Sequence, residues 1–369
     1  MTWMMYRMKG LDKAFFNNYK IEPTISWQYF CNLTGYMRHF PAANWNVQPV
    51  NTYDCRTRPW FTGAAVSPKD MIVLVERSGS MKGVRLRMAQ SVVRNILDTL
   101  TPNDFFNVIQ FNDTIEYMDN CTEKMLVQAT SFNVLHMKLA LDSIIPRGQS
   151  DLAEALYEAF ALLEKNKRAT ANCNQALVLI TDGMEYNKTI QKIFKTHNWE
   201  KGNKVRVFSY LVGEQISEVE YKQVEMMACE NRGFYTKVDL KEKAESSETK
   251  ETALRYLPVM ARPLVLSTHI PNPIVWSPLY ADLIDAQRIT NNDWNCKQNE
   301  AQRKRVVSYL KQYDSIRCIS DKDDEKINPE FRKYVFMTTV SMPAFDRGIN
   351  AVWTVSNFLK HFFKNIFFR

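Results

Sequence analysis

The sequence predicts an α/β fold: a doubly wound, mainly parallel sheet inserted in a partial α+β domain assembled from its two flanks. Three observations predict it. The run at 71–75 reads as a buried strand and the all-apolar run at 176–180 as a parallel strand covered on both faces, with further strands at 105–111 and 205–212. Runs with a 3.6-residue apolar period separate them, so strands and helices alternate. The pattern breaks near 68 and near 262, giving four segments: 1–68, 69–262, 263–346 and a basic, Phe-rich tail at 347–369.

Residues 1–68 are aromatic-rich. The stretch 25–30 reads as strand or short helix, and 40–45, with Pro41, as loop. At 53–60 the run Tyr-Asp-Cys-Arg-Thr-Arg-Pro-Trp sets two arginines beside aromatics. Guanidinium groups suit carboxylate recognition and aromatics suit pocket walls, but an arginine stacked on tryptophan for structural reasons explains the run equally well.

The central segment opens on Met-Ile-Val-Leu-Val-Glu-Arg-Ser-Gly-Ser-Met at 71–81, a buried strand stopping at a carboxylate and two hydroxyls. A helix follows at 84–100, with Leu86, Ala89, Val92, Val93, Ile96, Leu97 and Leu100 on one face. Pro102 ends it. Strands at 105–111 and 114–118, a helix at 132–144, a turn at 146–150 and a helix at 152–164 come next. The strand at 176–180 runs into Thr181-Asp182-Gly183. Helices at 189–198, 219–231 and 251–260 alternate with strands at 205–212 and 234–238. Beyond Arg262, Pro263, Pro271, Pro273 and Pro278 break short β-like runs, 291–300 and 321–326 are polar loops, and 336–342 alternates like a strand. This β-leaning part is expected to complete a domain with residues 1–68.

Open α/β sheets place ligand sites beyond the C-terminal ends of their strands. Three loops are expected on that rim, carrying Glu76, Ser78 and Ser80; Ser150 and Asp151; and Asp182. Hydroxyl and carboxylate oxygens are the donors that Mg²⁺ or Ca²⁺ requires. Each residue alone is as well explained as a helix cap; the three loops at matching strand ends favour a cation site with a position left for a partner's carboxylate.

Other features mainly exclude. The net charge of +8 is scattered, giving a solvated basic surface and no nucleic-acid stripe. No Gly-x-Ser-x-Gly or HExxH motif is present and the five histidines are dispersed, which argues against a hydrolase. Seven cysteines without a CxxC pair argue against zinc and thioredoxin-type chemistry. Sequons at Asn32, Asn112, Asn120 and Asn187 permit glycosylation. No secretory signal or ~18-residue apolar span is visible. The Phe-rich tail from Phe358, interrupted by Lys360, Lys364 and Arg369, reads as a partly buried or disordered end in preference to a segment lying on a membrane surface.

The rim constellation resembles the metal-ion-dependent adhesion site of von Willebrand factor type A domains, Asp-x-Ser-x-Ser, then Thr, then Asp. The matching positions are Glu76, Ser78, Ser80, Ser150 and Asp182. Ser150 keeps the hydroxyl of the family's Thr. Glu76 is one methylene longer than the family's Asp, which moves the carboxylate toward the metal or out of line. Trp27-Gln28, Phe40-Pro41-Ala42, 53–60, 67–70, Asn172-Cys173, 226–231, Arg262-Pro263 and 337–343 resemble the alpha-2/delta auxiliary subunits of voltage-gated calcium channels. Asp54-Cys55-Arg56, 78–86 and 175–183 look most like the third isoform.

That resemblance implies an α/β domain inserted in a Cache-type domain, a metal site gripping the pore-forming alpha-1 subunit, and control of channel density and gating at the extracellular face of the plasma membrane. It implies an amino-acid pocket at Trp27, Tyr53, Arg58 and Trp60, with Arg58 pairing the ligand carboxylate and His39 where the drug-binding isoform has Tyr. It also implies a bridge from Cys173 to a delta peptide. Family members carry a signal sequence and a membrane anchor; their absence here, and the end of the likeness near Asp346, read as a fragment. The alternative is a secreted adhesion module that grips an acidic residue of a matrix protein through the same rim.

Overall fold

The computed structural model describes residues 9–21, 28–40, 54–165, 170–171, 174–213, 217–240, 244, 246–266, 274–277, 280–283, 334–345 and 353–359. The chain divides into two compact units, one of Met1–Cys55, Ile274–Met342 and Thr354–Arg369, the other of Arg56–Pro273 and Pro343–Trp353.

The first unit begins with helix α1, Lys9–Ile21, which the sequence reading had not placed. Phe15, one turn on from Leu11, is its buried anchor and packs with Phe30. Strands β1 (Gln28–Asn32) and β2 (Met37–Phe40) form an antiparallel hairpin. A disulfide joins Cys31 to Cys55, a pairing that residue spacing had left open.

The second unit starts with helix α2 (Pro59–Ala65), whose Pro59 sits in the first turn, where a missing amide hydrogen does no harm. Strand β3 (Lys69–Glu76) is buried along its whole length, as its apolar run requires. Its entry is fixed by a buried ion pair: Lys69 Nζ lies 3.0 Å from Asp104 Oδ2. Asp104 also accepts from the Lys69 amide at 3.0 Å and the Thr101 amide at 2.7 Å. These bonds satisfy a charge that burial would otherwise make costly.

Helix α3 (Val84–Leu97) buries Leu86, Ala89, Val92, Val93 and Ile96, the stripe read from its period. Strand β4 (Phe105–Phe111) pairs in parallel with β3, and the short strands β5 (Ile115–Tyr117) and β6 (Val127–Gln128) pair antiparallel with β4. Helix α4 (Ser131–Ala140) is capped by Thr130, and helix α5 (Leu152–Lys165) buries Leu152, Ala155, Leu156, Ala159 and Phe160. Those side chains pack on Ile72, Leu74, Ile109, Leu177 and Leu179 of the sheet. Each fully buried Leu, Ile or Phe among them contributes roughly 1.5–3 kcal/mol.

Strand β7 (Asn174–Thr181) lies parallel to β3 on the side away from β4. Helix α6 (Lys188–Phe194), strand β8 (Val205–Val212), helix α7 (Glu218–Glu230) and strand β9 (Phe234–Val238) follow, and helices α8 (Ser247–Leu254) and α9 (Tyr256–Leu266) close the unit. The sheet order is β5-β4-β3-β7-β8-β9, with β3, β4, β7, β8 and β9 parallel. The expected doubly wound α/β architecture is therefore present. The chain winds from β3 to β4 in one direction and from β3 through β7 in the other, so the crevice where the order reverses lies between β3 and β7.

The remaining strands are β10 (Val275–Trp276), β11 (Tyr280–Leu283), β12 (Tyr334–Met337), β13 (Thr339–Phe345) and β14 (Trp353–Leu359). β11 and β12 pair with each other, and a five-stranded sheet runs β10-β13-β14-β1-β2. The single strand read at 336–342 is thus two, broken at Thr338. Residues 353–359, read as part of a divergent tail, form the strand beside β1.

Candidate metal centre

Glu76 is the last residue of β3 and Thr181 the last of β7, the two strands that flank the crevice. The chain leaves β3 through a turn, Gly79–Met81, which puts Ser78 and Ser80 on the same side. Their hydroxyls lie 2.8 Å apart. Ser80 Oγ donates to Asp182 Oδ1 at 3.1 Å, which closes the gap between the β3 and β7 loops.

Glu76 is 2% exposed. Burial pushes its carboxyl up from the ordinary value, and the nearby Asp182 charge adds to this; hydrogen bonds from Ser78, Thr181 and Ser150 oppose the rise. Ser150, on the second loop, thus lies near Glu76 on the first. Glu76, Ser78, Ser80, Ser150 and Asp182 therefore converge.

The second loop is held by the backbone. The Gly79 amide donates to the Gly148 carbonyl at 3.0 Å and the Arg147 amide to the Arg77 carbonyl at 2.8 Å. Asn112, just past β4, acts as a hub. Its Nδ2 donates to the Arg147 carbonyl at 2.8 Å, and its own carbonyl accepts from the Asp151 amide at 2.8 Å. Asp151 itself caps α5, accepting from the Ala153 and Glu154 amides at 3.0 and 3.2 Å. Its side chain is thereby used by the helix.

Three residues of the site were not found in the sequence. The Thr181 hydroxyl donates to Glu76, and the Gly183 carbonyl lies 2.6 Å from the same oxygen. Arg85 pairs with Asp182 at 2.8 Å. Asn112 ties the Ser150 loop down. Thr181 follows an apolar strand, a signal that was available; Arg85 lies on a helix otherwise read for its apolar face.

The donor set suits a hard divalent cation, because every converging group offers oxygen. Two carboxylates is a small charge count. Among the described residues no three His, Cys, Asp or Glu side chains gather as a metal cluster. A cation here would depend on the hydroxyls of Ser78, Ser80 and Ser150.

The von Willebrand factor type A domain model matches residues 71–185, and a model described as VWA N-terminal matches residues 4–45. Human voltage-dependent calcium channel subunit alpha-2/delta-4 is 38% identical over 282 residues, covering 75% of this chain and 24% of that protein. The human alpha-2/delta-3 subunit is 37% identical over 294 residues, covering 78% of this chain and 26% of that protein. This chain is a homologue of the alpha-2/delta subunits. It spans about a quarter of the length of those relatives. Among solved structures, a von Willebrand factor type A protein from Catenulispora acidiphila aligns with TM-score 0.44 and 17% identity, covering 58% of this chain and 46% of that one.

In this alpha-2/delta homologue, the other expected positions divide. Trp27, Tyr53 and Cys173 lie outside the described residues. Arg58 is exposed at the start of α2, and Trp60 is buried with its ring edge-on to Phe61. The four sequons separate by burial. Asn32 and Asn112 are 0% and 2% exposed, and both side-chain oxygens accept hydrogen bonds from a nearby Thr. Asn120 and Asn187 are exposed, Asn187 as the cap of α6. Cys121 and Cys229 are exposed free thiols.

Proposed function

We propose that this chain is part of an auxiliary subunit of a voltage-gated calcium channel, and that it binds the pore-forming alpha-1 subunit through a divalent cation held on the rim. Ser78, Ser80 and Ser150 would hold Mg²⁺ or Ca²⁺, with Asp182 and Glu76 supplying negative charge. When bound, the cation offers a position to an acidic side chain of the partner. The chain's own part is to place the three hydroxyls and keep them in register. By this reading the subunit works at the extracellular face of the membrane and raises channel density and tunes gating there.

The observation that carries the proposal is the convergence of the five oxygen-bearing side chains at the β3–β7 crevice in a homologue of channel subunits. A Cache-type identity for the first unit, an amino-acid site using Arg58 and a bridge from Cys173 to a delta peptide are further parts of the same proposal, supported by the likeness of motif alone.

The test is co-purification of the chain with a pore-forming subunit in Mg²⁺ or Ca²⁺ and again in chelator. Recovery should require the ion and disappear in the Ser78→Ala, Ser80→Ala double variant. Recovery that ignores both chelator and substitution overturns the metal-bridged reading. Capture of matrix proteins with no channel subunit favours the adhesion alternative.

A further inference from the structure

Arg85 stands in the first turn of α3, where a helix presents free amide hydrogens and the positive end of its dipole. A cation there is electrostatically misplaced, and that turn carries no acidic residue to offset it. The guanidinium is fixed instead from outside the helix. Its Nη1 lies 2.8 Å from Asp182 Oδ2 and 3.0 Å from the Ser80 carbonyl. The Arg85 side chain is 37% exposed and covers an Asp182 side chain that is only 9% exposed. Ser80 Oγ holds the other oxygen of the same carboxylate at 3.1 Å. Both oxygens of Asp182 are thus engaged by groups of the chain itself.

We infer that Arg85 is a built-in competitor for the cation site, and that it sets the site's affinity low. The inference rests on the metal reading proposed above. A guanidinium can only donate hydrogen bonds, so it neutralises Asp182 without contributing a ligand. It also places a fixed positive charge beside the position a divalent ion must enter. Glu76 does not make up the loss, because it is buried and engaged by Thr181. With Arg85 in place the two rim carboxylates present one net negative charge; without it they present two. A site held to hydroxyls and one net charge belongs with the weak calcium sites of extracellular modules, in the range of ~10⁻⁴–10⁻³ M. Arg85 is therefore a residue that tunes affinity from outside the ligand set.

Calorimetric titration of the chain with MgCl₂ and with CaCl₂, at fixed ionic strength, tests this in wild type, Arg85→Gln, Arg85→Lys and Ser78→Ala. Arg85→Gln should tighten the Kd about tenfold, equivalent to about 1.4 kcal/mol. Arg85→Lys, which keeps the charge, should stay within about twofold of wild type, a difference of about 0.4 kcal/mol. Thermal melting is the second readout: without metal Arg85→Gln should melt below wild type, and saturating metal should raise its Tm by more. Wild-type binding with Arg85→Gln equal or weaker overturns the role of Arg85 and leaves the metal reading standing. No binding by wild type or by Arg85→Gln, with Ser78→Ala no different, overturns the metal reading and this inference with it.

Discussion

Thr181 donates its hydroxyl to the Glu76 carboxylate, joining the last residues of the two strands that flank the crevice. Both are buried, at 1% and 2% exposure. The bond therefore satisfies a carboxylate in a place where an unsatisfied one costs about 1–3 kcal/mol or more. Thr181→Val keeps the shape and removes the donor. It is expected to lower stability by about 1–3 kcal/mol in urea unfolding, while Thr181→Ser stays close to wild type. A valine variant as stable as wild type would show that the Glu76 carboxylate is satisfied without the Thr181 hydroxyl.

The same relationship bears on metal affinity. Glu76 lies beside the hydroxyls of Ser78 and Ser150, two that a cation would need, and both favour its charged form. Glu76→Asp withdraws the carboxylate by one methylene and should release them. We expect Mg²⁺ or Ca²⁺ to bind about tenfold more tightly, or about 1.4 kcal/mol. Equal or weaker binding by calorimetry rejects the idea that the longer side chain weakens the site.

Acid should act at the neighbouring loop through Glu116. Arg77 is buried at 3% exposure of its side chain, and its Nη2 lies 2.5 Å from Glu116 Oε1. The hydrogen bond from Arg77 holds the Glu116 carboxyl below the ordinary carboxylate range; the charges of Arg77 and Arg147 act in the same direction, and burial opposes them. A carboxyl lowered on folding stabilises the fold at pH above its unfolded value, and that share is lost as pH falls through the folded value. Wild type should therefore exceed Glu116→Gln in stability at about pH 7, with the gap narrowing below about pH 4.3. Glu116 is 42% exposed, so the gap is discounted for solvent screening. A gap of constant size across that range, measured by urea unfolding, removes the electrostatic account.

Much of this arrangement was readable in the residues, and the limits have a physical cause. The run at 71–75 had to be a buried strand, and the period at 84–97 had to be a helix, because local pattern decides both. Loops at the strand ends then had to share one rim. Helix α1 escaped notice although Leu11, Phe15 and Tyr19 repeat every four residues, because the polar residues between them mask the stripe. Thr181 and Arg85 escaped for another reason. Their partners Glu76 and Asp182 lie 105 and 97 residues away in sequence, so only the register of β3 against β7 brings them together. Asn112 looked like a glycosylation acceptor, and its work as a hub depends on loops that converge only after folding.

Gly233 carries the last prediction. It follows α7 and leads into β9, and its amide donates to the Ala228 carbonyl at 2.9 Å. A Cβ built on it would lie 1.6 Å from the Val207 carbonyl oxygen and 2.5 Å from the carbonyl carbon. Both are backbone atoms of β8, and β8 is paired with β7 on one side and β9 on the other. No rotamer change relieves that overlap; the turn or the strand itself must move. Gly233→Ala is expected to cost at least about 3 kcal/mol, at the upper end of overpacking effects. Gly202 is the control. It has φ of 91° with nothing within 4 Å of a built Cβ, so Gly202→Ala meets backbone strain alone. That strain is about 1–2 kcal/mol. Urea midpoints should fall for both variants and much further for Gly233→Ala. Equal losses would mean that β8 and the turn before β9 separate easily, and that the contact at Val207 does not fix the edge of the sheet.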